Sequence, residues 1–299
     1  MKRILIIHYS QTGQLTGLLG SIATPWETRG YRVDHLVLRP KVPFPFPWSR
    51  MSFFDAFPGS VGRVPEGLAP FDVPSAGPYD LVVLGYTIWF LNPSIPFNSF
   101  LEHPLAGAYL KDRPVLTVIG ARNMWVLAQE HVRRKVEALG GRMVGNIAVE
   151  DRSPNLVSII TIVRWMFRGR KDPFLFFPAA GIRPKEMREA SRFGEVVARW
   201  MEEGGDVGRD LMDAGAMRVK PALLVLEKRA TLLFGKYRRF ILARADRDPR
   251  SRRRRVALLS RLLPIGAFIL SPITALSTRI LSLVRRGAIE AEIRRITTY

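Results

Sequence analysis

Short runs of aliphatic and β-branched residues, each bounded by turn formers, recur through the first half of the chain. Five of them predict strands: residues 3–8 (RILIIH), 31–38 (YRVDHLVL), 80–86 (DLVVLGY), 114–120 (PVLTVIG) and 141–150 (GRMVGNIAVE). A helix-length segment follows the first run. From Asn123 to Leu139 the apolar residues take a helical period, with basic residues outward and Asn123 placed as a cap. Strand and helix alternate to residue 150. Parallel neighbours need crossover connections, which are usually helices, so this alternation predicts an α/β, doubly wound, five-stranded parallel sheet covered on both faces. Ligands of such sheets sit at the carboxyl ends of the strands.

Three stretches depart from the alternation. From Arg39 to Pro78 there are nine prolines where a crossover helix would normally lie, leaving little room for a long helix. A connection of this length is either a surface loop pinned by its Phe and Trp residues or an aromatic lid over an apolar substrate. Ser153 to Pro178 is more apolar than a sheet-covering helix requires, which predicts some exposure. Residues 185–204 read as an amphipathic helix stopped by Gly204 and Gly205, with an ordinary place on a sheet face. The chain thus divides into a sheet domain, 1–205, and a basic helical extension, 206–299.

The 299 residues suffice for one substantial core, and 47% hydrophobic content excludes general disorder. The formal charge of +20 points to a polyanionic partner. From Arg209 onward there are 21 Lys/Arg against 7 Asp/Glu, so most of the excess belongs to the extension. There the run RADRDPRSRRRR leads into an apolar stretch whose residues 262–278 carry no charge. That length is at the lower limit for a transmembrane helix, and Pro264, Pro272, Arg261 and Arg279 weaken a spanning reading. A segment lying in the interface of an anionic membrane fits better. Nucleic acid is the competing reading of the arginines, disfavoured because no aromatics lie among them for base stacking.

The absence of cysteine excludes thiolate catalysis, disulfides and Cys-ligated metals. The four histidines, His8, His35, His103 and His131, are dispersed without metal-ligand spacing, so no metal site is expected. MKR runs directly into the first strand without a signal-peptide pattern, giving an expected cytoplasmic location peripheral to the membrane.

The first strand leaves through YSQTGQLT, Tyr9 to Thr16. A hydroxyl-rich, glycine-containing turn that opens a helix directs backbone N–H groups, hydroxyl donors and a helix N-terminus at one point, which makes an anion site. Ser10, Thr12 and Thr16 supply hydroxyls and Gly13 permits close backbone approach. With no Lys or Arg in the turn, a phosphomonoester suits it better than a triphosphate with magnesium. Neither the dinucleotide fingerprint nor the Walker loop is present.

SQTGQLT resembles the phosphate-binding loop of the flavodoxin superfamily, and the resemblance implies a flavodoxin-like fold that binds FMN. It assigns Ser10, Gln11, Thr12, Gly13, Gln14 and Thr16 to the phosphate. Two further loops then flank the flavin ring: Gly85 to Leu101, with Thr87, Ile88, Trp89 and Phe90, and Gly120 to Trp125, with Gly120, Ala121, Arg122, Asn123 and Trp125. Trp89 is the first candidate to cover the ring and Trp125 the second, the alternative for each being a core residue. Tyr86 and Arg122 are the candidate catalytic residues; Arg122 would stabilise an enolate or reduced flavin, and no general base stands out.

A closer resemblance covers about residues 1–170. YSQTGQLT, PFPFPW, GYTIWFLNPSIPFNSFL, IGARNMW and VGNIAVEDRSPNLVSIITIVRWM together are similar to the bacterial family named dialkylresorcinol condensing enzymes, whose genes lie beside ketosynthases. The resemblance implies a flavin-dependent aromatase that oxidises a 2,5-dialkylcyclohexane-1,3-dione to a dialkylresorcinol, with a ketosynthase as a partner and a homodimer left open. Condensation itself does not fit, because a chain without cysteine lacks the nucleophile ketosynthases use. Two alternatives remain: an NAD(P)H-dependent quinone or flavin reductase on the same fold, and a cofactor-free membrane scaffold for the ketosynthase.

Overall fold

The computed structural model describes residues 1–71, 78–243 and 248–299, except for the side chains at 249, 264, 266–276, 279 and 282. Residues 72–77 of the proline-rich connection, 244–247 of the basic run and most side chains of the apolar stretch after it therefore lie outside the described residues.

In chain order the elements are β1 (Arg3–His8), α1 (Gln14–Thr28), β2 (Arg32–Val37), α2 (Arg50–Asp55), α3 (Phe57–Gly62), β3 (Leu81–Trp89), β4 (Asn92–Pro93), α4 (Ile95–Leu101) and α5 (Ala106–Leu110). They continue with β5 (Pro114–Ala121), α6 (Val126–Ala138), β6 (Arg142–Glu150), α7 (Asn155–Arg168), α8 (Pro184–Glu189), α9 (Ser191–Glu203) and α10 (Val207–Asp213). Three further helices close the chain, α11 (Pro221–Leu242), α12 (Pro249–Val284) and α13 (Arg286–Thr297).

All five expected strands form, and they pair in parallel in the order β2-β1-β3-β5-β6. Counting these five alone, the order is 2-1-3-4-5, so the fold is flavodoxin-like, with its topological switch point between β1 and β3. β3 runs on to Trp89 and turns back into the two-residue β4, an antiparallel addition that the sequence pattern does not announce. The proline-rich connection carries two six-residue helices, α2 and α3. Ser49 caps α2 by accepting from the Ser52 N–H at 3.0 Å.

Alternation along the strands divides the core. Ile4, Ile6, Leu81, Val83 and Val118 face one way, against Leu15, Leu18 and Ile22 of α1 and Phe193 and Val197 of α9. α9 approaches α1 so closely that a Cβ on Gly194 would lie 2.0 Å from the Ile22 carbonyl oxygen, which only glycine permits. Leu5, Ile7, Val82, Leu84 and Tyr86 face the other way, against Phe97 of α4 and Val132 and Val136 of α6.

The chain after residue 205 shares these cores. Val207 and Leu211 of α10 join the first, while Leu224 and Val225 of α11 and Ile289 and Ile296 of α13 join the second. Each buried aliphatic side chain contributes about 1.5–3 kcal/mol relative to exposure, so this packing is a large tie. A third cluster joins Phe54 of α2 and Phe57 of α3 to Ile241 of α11 and to Val256 and Leu259 of α12. The aromatics of the proline-rich connection are thus seated partly on the extension.

α12 has 36 residues, about 54 Å at 1.5 Å per residue. Among the described residues, no helix is long and apolar enough to cross a membrane. The four consecutive arginines at its start divide in two. Arg252 pairs with Asp55 of α2, and Arg255 donates to the Phe240 and Ala243 carbonyls at the end of α11, at 2.6 and 2.8 Å. Arg253 and Arg254 are exposed.

Candidate active site at the carboxyl ends of the strands

The loop from β1 into α1 lies at the switch point. Gly13 takes φ +77° at the N-cap, a conformation that side-chain-bearing residues adopt only at a cost, and a Cβ there would meet nothing within 4 Å. No side chain caps α1, and its first turn contains no acidic residue. The first backbone bond into this helix is Gly17 N–H to Gly13 C=O at 3.0 Å, so the preceding N–H groups remain free of intrahelical acceptors at the positive end of the dipole. The Ser10 hydroxyl is buried without a hydrogen-bond partner, and Thr12 is exposed beside it.

Three of the expected phosphate residues have other engagements. Thr16 Oγ1 lies 3.1 Å from His8 Nε2. Burial first, and then the neighbouring His35, push His8 down to about 4, so the ring is neutral near pH 7. In the tautomer protonated at Nε2, His8 donates to Thr16 and leaves the threonine proton free to turn outward. Gln14 holds the Ile182 backbone on both sides, donating to its carbonyl and accepting from its N–H, each at 3.1 Å. Gln11 donates to the Pro45 carbonyl at 3.0 Å and accepts from Trp48 Nε1 at 3.1 Å. The two glutamines thus fasten walls around the site.

The second loop is strained and braced. Phe90 and Leu91 both have positive φ, +47° and +65°, in the turn from β3 to β4, where each non-glycine residue costs about 1–3 kcal/mol. Ser60 donates to the Trp89 carbonyl at 2.8 Å, Asn92 Nδ2 to the Phe90 carbonyl at 3.0 Å, and Arg63 Nε to Asn92 Oδ1 at 2.7 Å. Phe90 packs on Phe53 and Phe57, 4.7 and 5.0 Å between centroids. Trp89 is met edge-on by Tyr9, Phe44 and Trp48 at 6.0, 5.0 and 5.5 Å.

The third loop is tied to α7. Asn155 accepts from Arg122 Nη1 at 2.8 Å and from Asn123 Nδ2 at 3.0 Å. Burial draws the Arg122 guanidinium down to about 10, against the opposing charge of Asp151. Asp151, just past β6, is 6% exposed; its Oδ1 accepts from the Ser153 N–H at 2.9 Å, while Oδ2 is buried with no hydrogen-bond partner.

These loops surround a cavity of about 190 Å³. Of the residues expected at the site, Gln11, Thr12, Gln14, Thr87, Ile88, Trp89, Phe90, Gly120, Ala121 and Arg122 line it. Ser10, Gly13 and Thr16 stand at the adjoining helix terminus instead. Asn123 is spent on Asn155. Three expectations need correction. Asn123 does not cap the helix after β5, because α6 starts only at Val126, with Trp125 at the N-cap position and no side-chain cap. Tyr86 is fully buried on the α6 side of the sheet, stacked on Phe97 at 4.7 Å and donating to Gln129 Oε1 at 2.6 Å. Burial raises its phenol well above the ordinary value, and strand alternation points it away from the cavity. Trp125 is 1% exposed and donates to Glu150 Oε1 at 2.6 Å, which makes it a core residue.

Leu15 also lines the cavity, as do Phe46 and Phe53 of the proline-rich connection, for which an aromatic lid was one of the two sequence readings; the walls that escaped the sequence reading are Ile162, Trp165 and Met166 from α7, Gly181 and Ile182, and Asp151. The apolar excess after residue 153 was the available signal for α7. For Asp151 the signal was a carboxylate at the carboxyl end of a strand beside β5.

No protein-family model and no curated protein matches the chain. Among solved structures, the flavoprotein from Lactobacillus acidophilus NCFM, crystallised in complex with FMN, is 16% identical with a TM-score of 0.40, covering 50% of this chain and 93% of its own. Oxidised flavodoxin 1 from Bacillus cereus is 12% identical with a TM-score of 0.37, covering 68% and 99%. A flavone reductase is 12% identical with a TM-score of 0.35, covering 74% and 67%.

Proposed function

We propose that this protein is an FMN-dependent oxidoreductase, and that its substrate is a 2,5-dialkylcyclohexane-1,3-dione which it aromatises to a dialkylresorcinol. The carrying observation is the juxtaposition at the switch point: an uncapped helix N-terminus with the orphaned Ser10 hydroxyl, beside a Trp89-walled apolar cavity that contains Arg122 and Asp151. The N–H groups of the first turn of α1, with Ser10 and Thr12, would hold the phosphate. At about 190 Å³ the cavity is smaller than the roughly 300–1,000 Å³ of drug-sized ligand sites. Seating the ring therefore requires the cavity walls to open further.

The bound flavin would supply a two-electron acceptor. Making one ring double bond in the dione removes a proton from a carbon next to a carbonyl and a hydride from the adjacent carbon, after which enolisation completes the aromatic ring. Asp151 Oδ2, unpartnered and in the cavity wall, would take the proton. Arg122, held by Asn155 through Nη1, would face the enolate oxygen. Phe46, Phe53, Ile162, Trp165 and Met166 offer the apolar surface that alkyl chains require. A ketosynthase as the source of the dione, and membrane attachment through Arg253, Arg254 and the apolar part of α12, complete the proposal.

The test begins with the visible spectrum of the purified protein and its uptake of added FMN. Under anaerobic conditions the dione should bleach the bound flavin and appear as resorcinol, while NAD(P)H should reduce it slowly or not at all. Rapid reduction by NAD(P)H without a reaction with the dione would refute the aromatase, and a protein that takes up no FMN would refute both levels of the proposal.

A further inference from the structure

We infer that the outer side of α7, together with the turn from Phe174 to Phe177, is a docking surface for an anionic lipid membrane. After Met1, Leu175 and Phe176 are the most exposed large apolar side chains among the described residues, at 88% and 85%. They occupy the tip of a closed turn: Phe174 N–H donates to the Phe177 carbonyl at 3.2 Å, and Phe177 N–H returns to the Phe174 carbonyl at 2.9 Å. The Phe174 and Phe177 rings stack behind the tip at 5.0 Å. Leu175 holds a positive φ of +49°, so the backbone accepts strain in presenting these two side chains outward.

Arg164 is the chief tie between the turn and α7. Arg164 donates through Nη1 to the Arg170 and Asp172 carbonyls at 3.2 and 2.7 Å, and pairs through Nη2 with Asp172 Oδ2 at 2.8 Å. Its guanidinium also lies 4.5 Å from the centre of the Phe174 ring. Leu156 and Val163, seven residues apart on α7 and therefore on one face, are exposed as well. The apolar tip and this stripe thus belong to a braced unit.

Charge identifies the occupant. Arg168, Arg170, Arg183 and Lys185 are exposed around the unit; its own carboxylate, Asp172, pairs with Arg164 and Arg170, and the neighbouring Glu189 pairs with Lys185, which leaves Arg168 and Arg183 to keep the rim cationic. At the C-terminal end of α7, Phe167 packs on Phe53 of α2 at 5.4 Å, and Met51 of α2 shares a recess with Arg250, Arg253 and Arg254 of α12. Apolar side chains projecting from a cationic rim match the acyl boundary and phosphate layer of an anionic bilayer. A protein partner would need complementary acidic groups around a shaped apolar socket, whereas a bilayer accepts two adjacent protruding side chains without a socket. The inner side of α7 carries Ile162, Trp165 and Met166 into the cavity, so docking on this face would set that cavity beside the lipid. The surface does not depend on the proposed chemistry, and it is separate from attachment through the apolar part of α12.

The chain has no cysteine, so a single introduced thiol can be labelled cleanly. In the full chain, Leu175→Cys carries an environment-sensitive fluorophore, and Thr24→Cys on the exposed side of α1 serves as the control. With vesicles of phosphatidylglycerol and phosphatidylethanolamine in equal parts, the label at 175 should brighten several-fold and be quenched by doxyl groups on the acyl chains, while the label at 24 should do neither. The unlabelled Leu175→Ser/Phe176→Ser variant should melt as the parent does and partition onto the vesicles at least tenfold less. A label at 175 that stays in water while the protein co-floats with vesicles would overturn the inference, leaving attachment to α12 alone. Brightening that depends on protein concentration without vesicles would also overturn it, in favour of a second copy on this face.

Discussion

Glu227 links the helical extension to the site, and its titration gives a measurable consequence. It sits on α11 at 0% exposure, and its Oε1 accepts from the Leu127 N–H at 2.8 Å. α6, which begins immediately after the Gly120 to Trp125 loop, has no capping side chain of its own, so Glu227 acts as its cap from a distant segment. Oε2 is buried without a partner. Burial pushes the carboxyl up to about 7 from 4.5, with the Leu127 and Val126 N–H groups pulling it down and Glu150 pushing it further up. An acid whose folded pKa lies above its unfolded value adds most stability below the unfolded pKa and loses it as pH rises through the folded one. The window here is pH 4.5 to 7, and a gap of about 2.5 units at 1.36 kcal/mol each amounts to about 3 kcal/mol. Glu227→Gln keeps an oxygen for Leu127 and cannot ionise, so it reproduces the protonated form. Urea denaturation should find variant and parent nearly equal at pH 4.5, with the variant more stable by about 3 kcal/mol at pH 8. Parallel losses in the two proteins between these pH values, or a variant weaker at both, would refute the placement of Glu227 as a buried cap.

Four further outcomes concern the site. Gly13→Val should cost about 1–2 kcal/mol of stability through the left-handed backbone alone, since a Cβ there meets nothing within 4 Å, and should reduce FMN affinity at least tenfold by fluorescence titration; unchanged affinity would remove this loop from phosphate binding. Ser10→Ala should leave the unliganded protein as stable or more so, because its buried hydroxyl lacks a partner, and should weaken FMN while sparing riboflavin; equal weakening of both would refute a phosphate contact. Asp151→Asn should lower dione turnover by roughly 100-fold or more with FMN affinity intact, measured as resorcinol formed; full activity would exclude it as the base. Tyr86→Phe should lose about 1 kcal/mol through the Gln129 hydrogen bond and keep nearly full turnover, whereas a large fall in turnover at normal stability would return Tyr86 to the site.

Much of the sheet was legible because its signals are local. The runs 3–8 and 114–120 reappear within a residue as β1 and β5, and the hydroxyl-rich turn after β1 opens α1 as expected. What the pattern did not show came from tertiary context. α2 and α3 form inside a proline-rich connection because Phe54 and Phe57 find partners on α11 and α12, a contact across nearly two hundred residues. Of the residues named on these loops, Trp89 and Arg122 line the cavity whereas Tyr86 and Trp125 are buried away from it, since the strand phase and the turn after β5 decide which side chains reach the cavity. Gln11 and Gln14 were placed at the right loop, but their amides fasten Pro45, Trp48 and Ile182, partners that spacing within the motif does not reveal.

The sequence by itself determined the alternating elements, the parallel sheet and the sheet edge where the cavity opens, because hydrophobic period, turn residues and crossover length are set by neighbours along the chain. Only the tertiary structure decided that α7 closes the cavity, that Asp151 and Arg122 both line it, and that the extension completes the core and caps α6. Those facts rest on packing between residues thirty to two hundred positions apart, where burial and satisfied hydrogen bonds choose the partners and no local pattern records the choice.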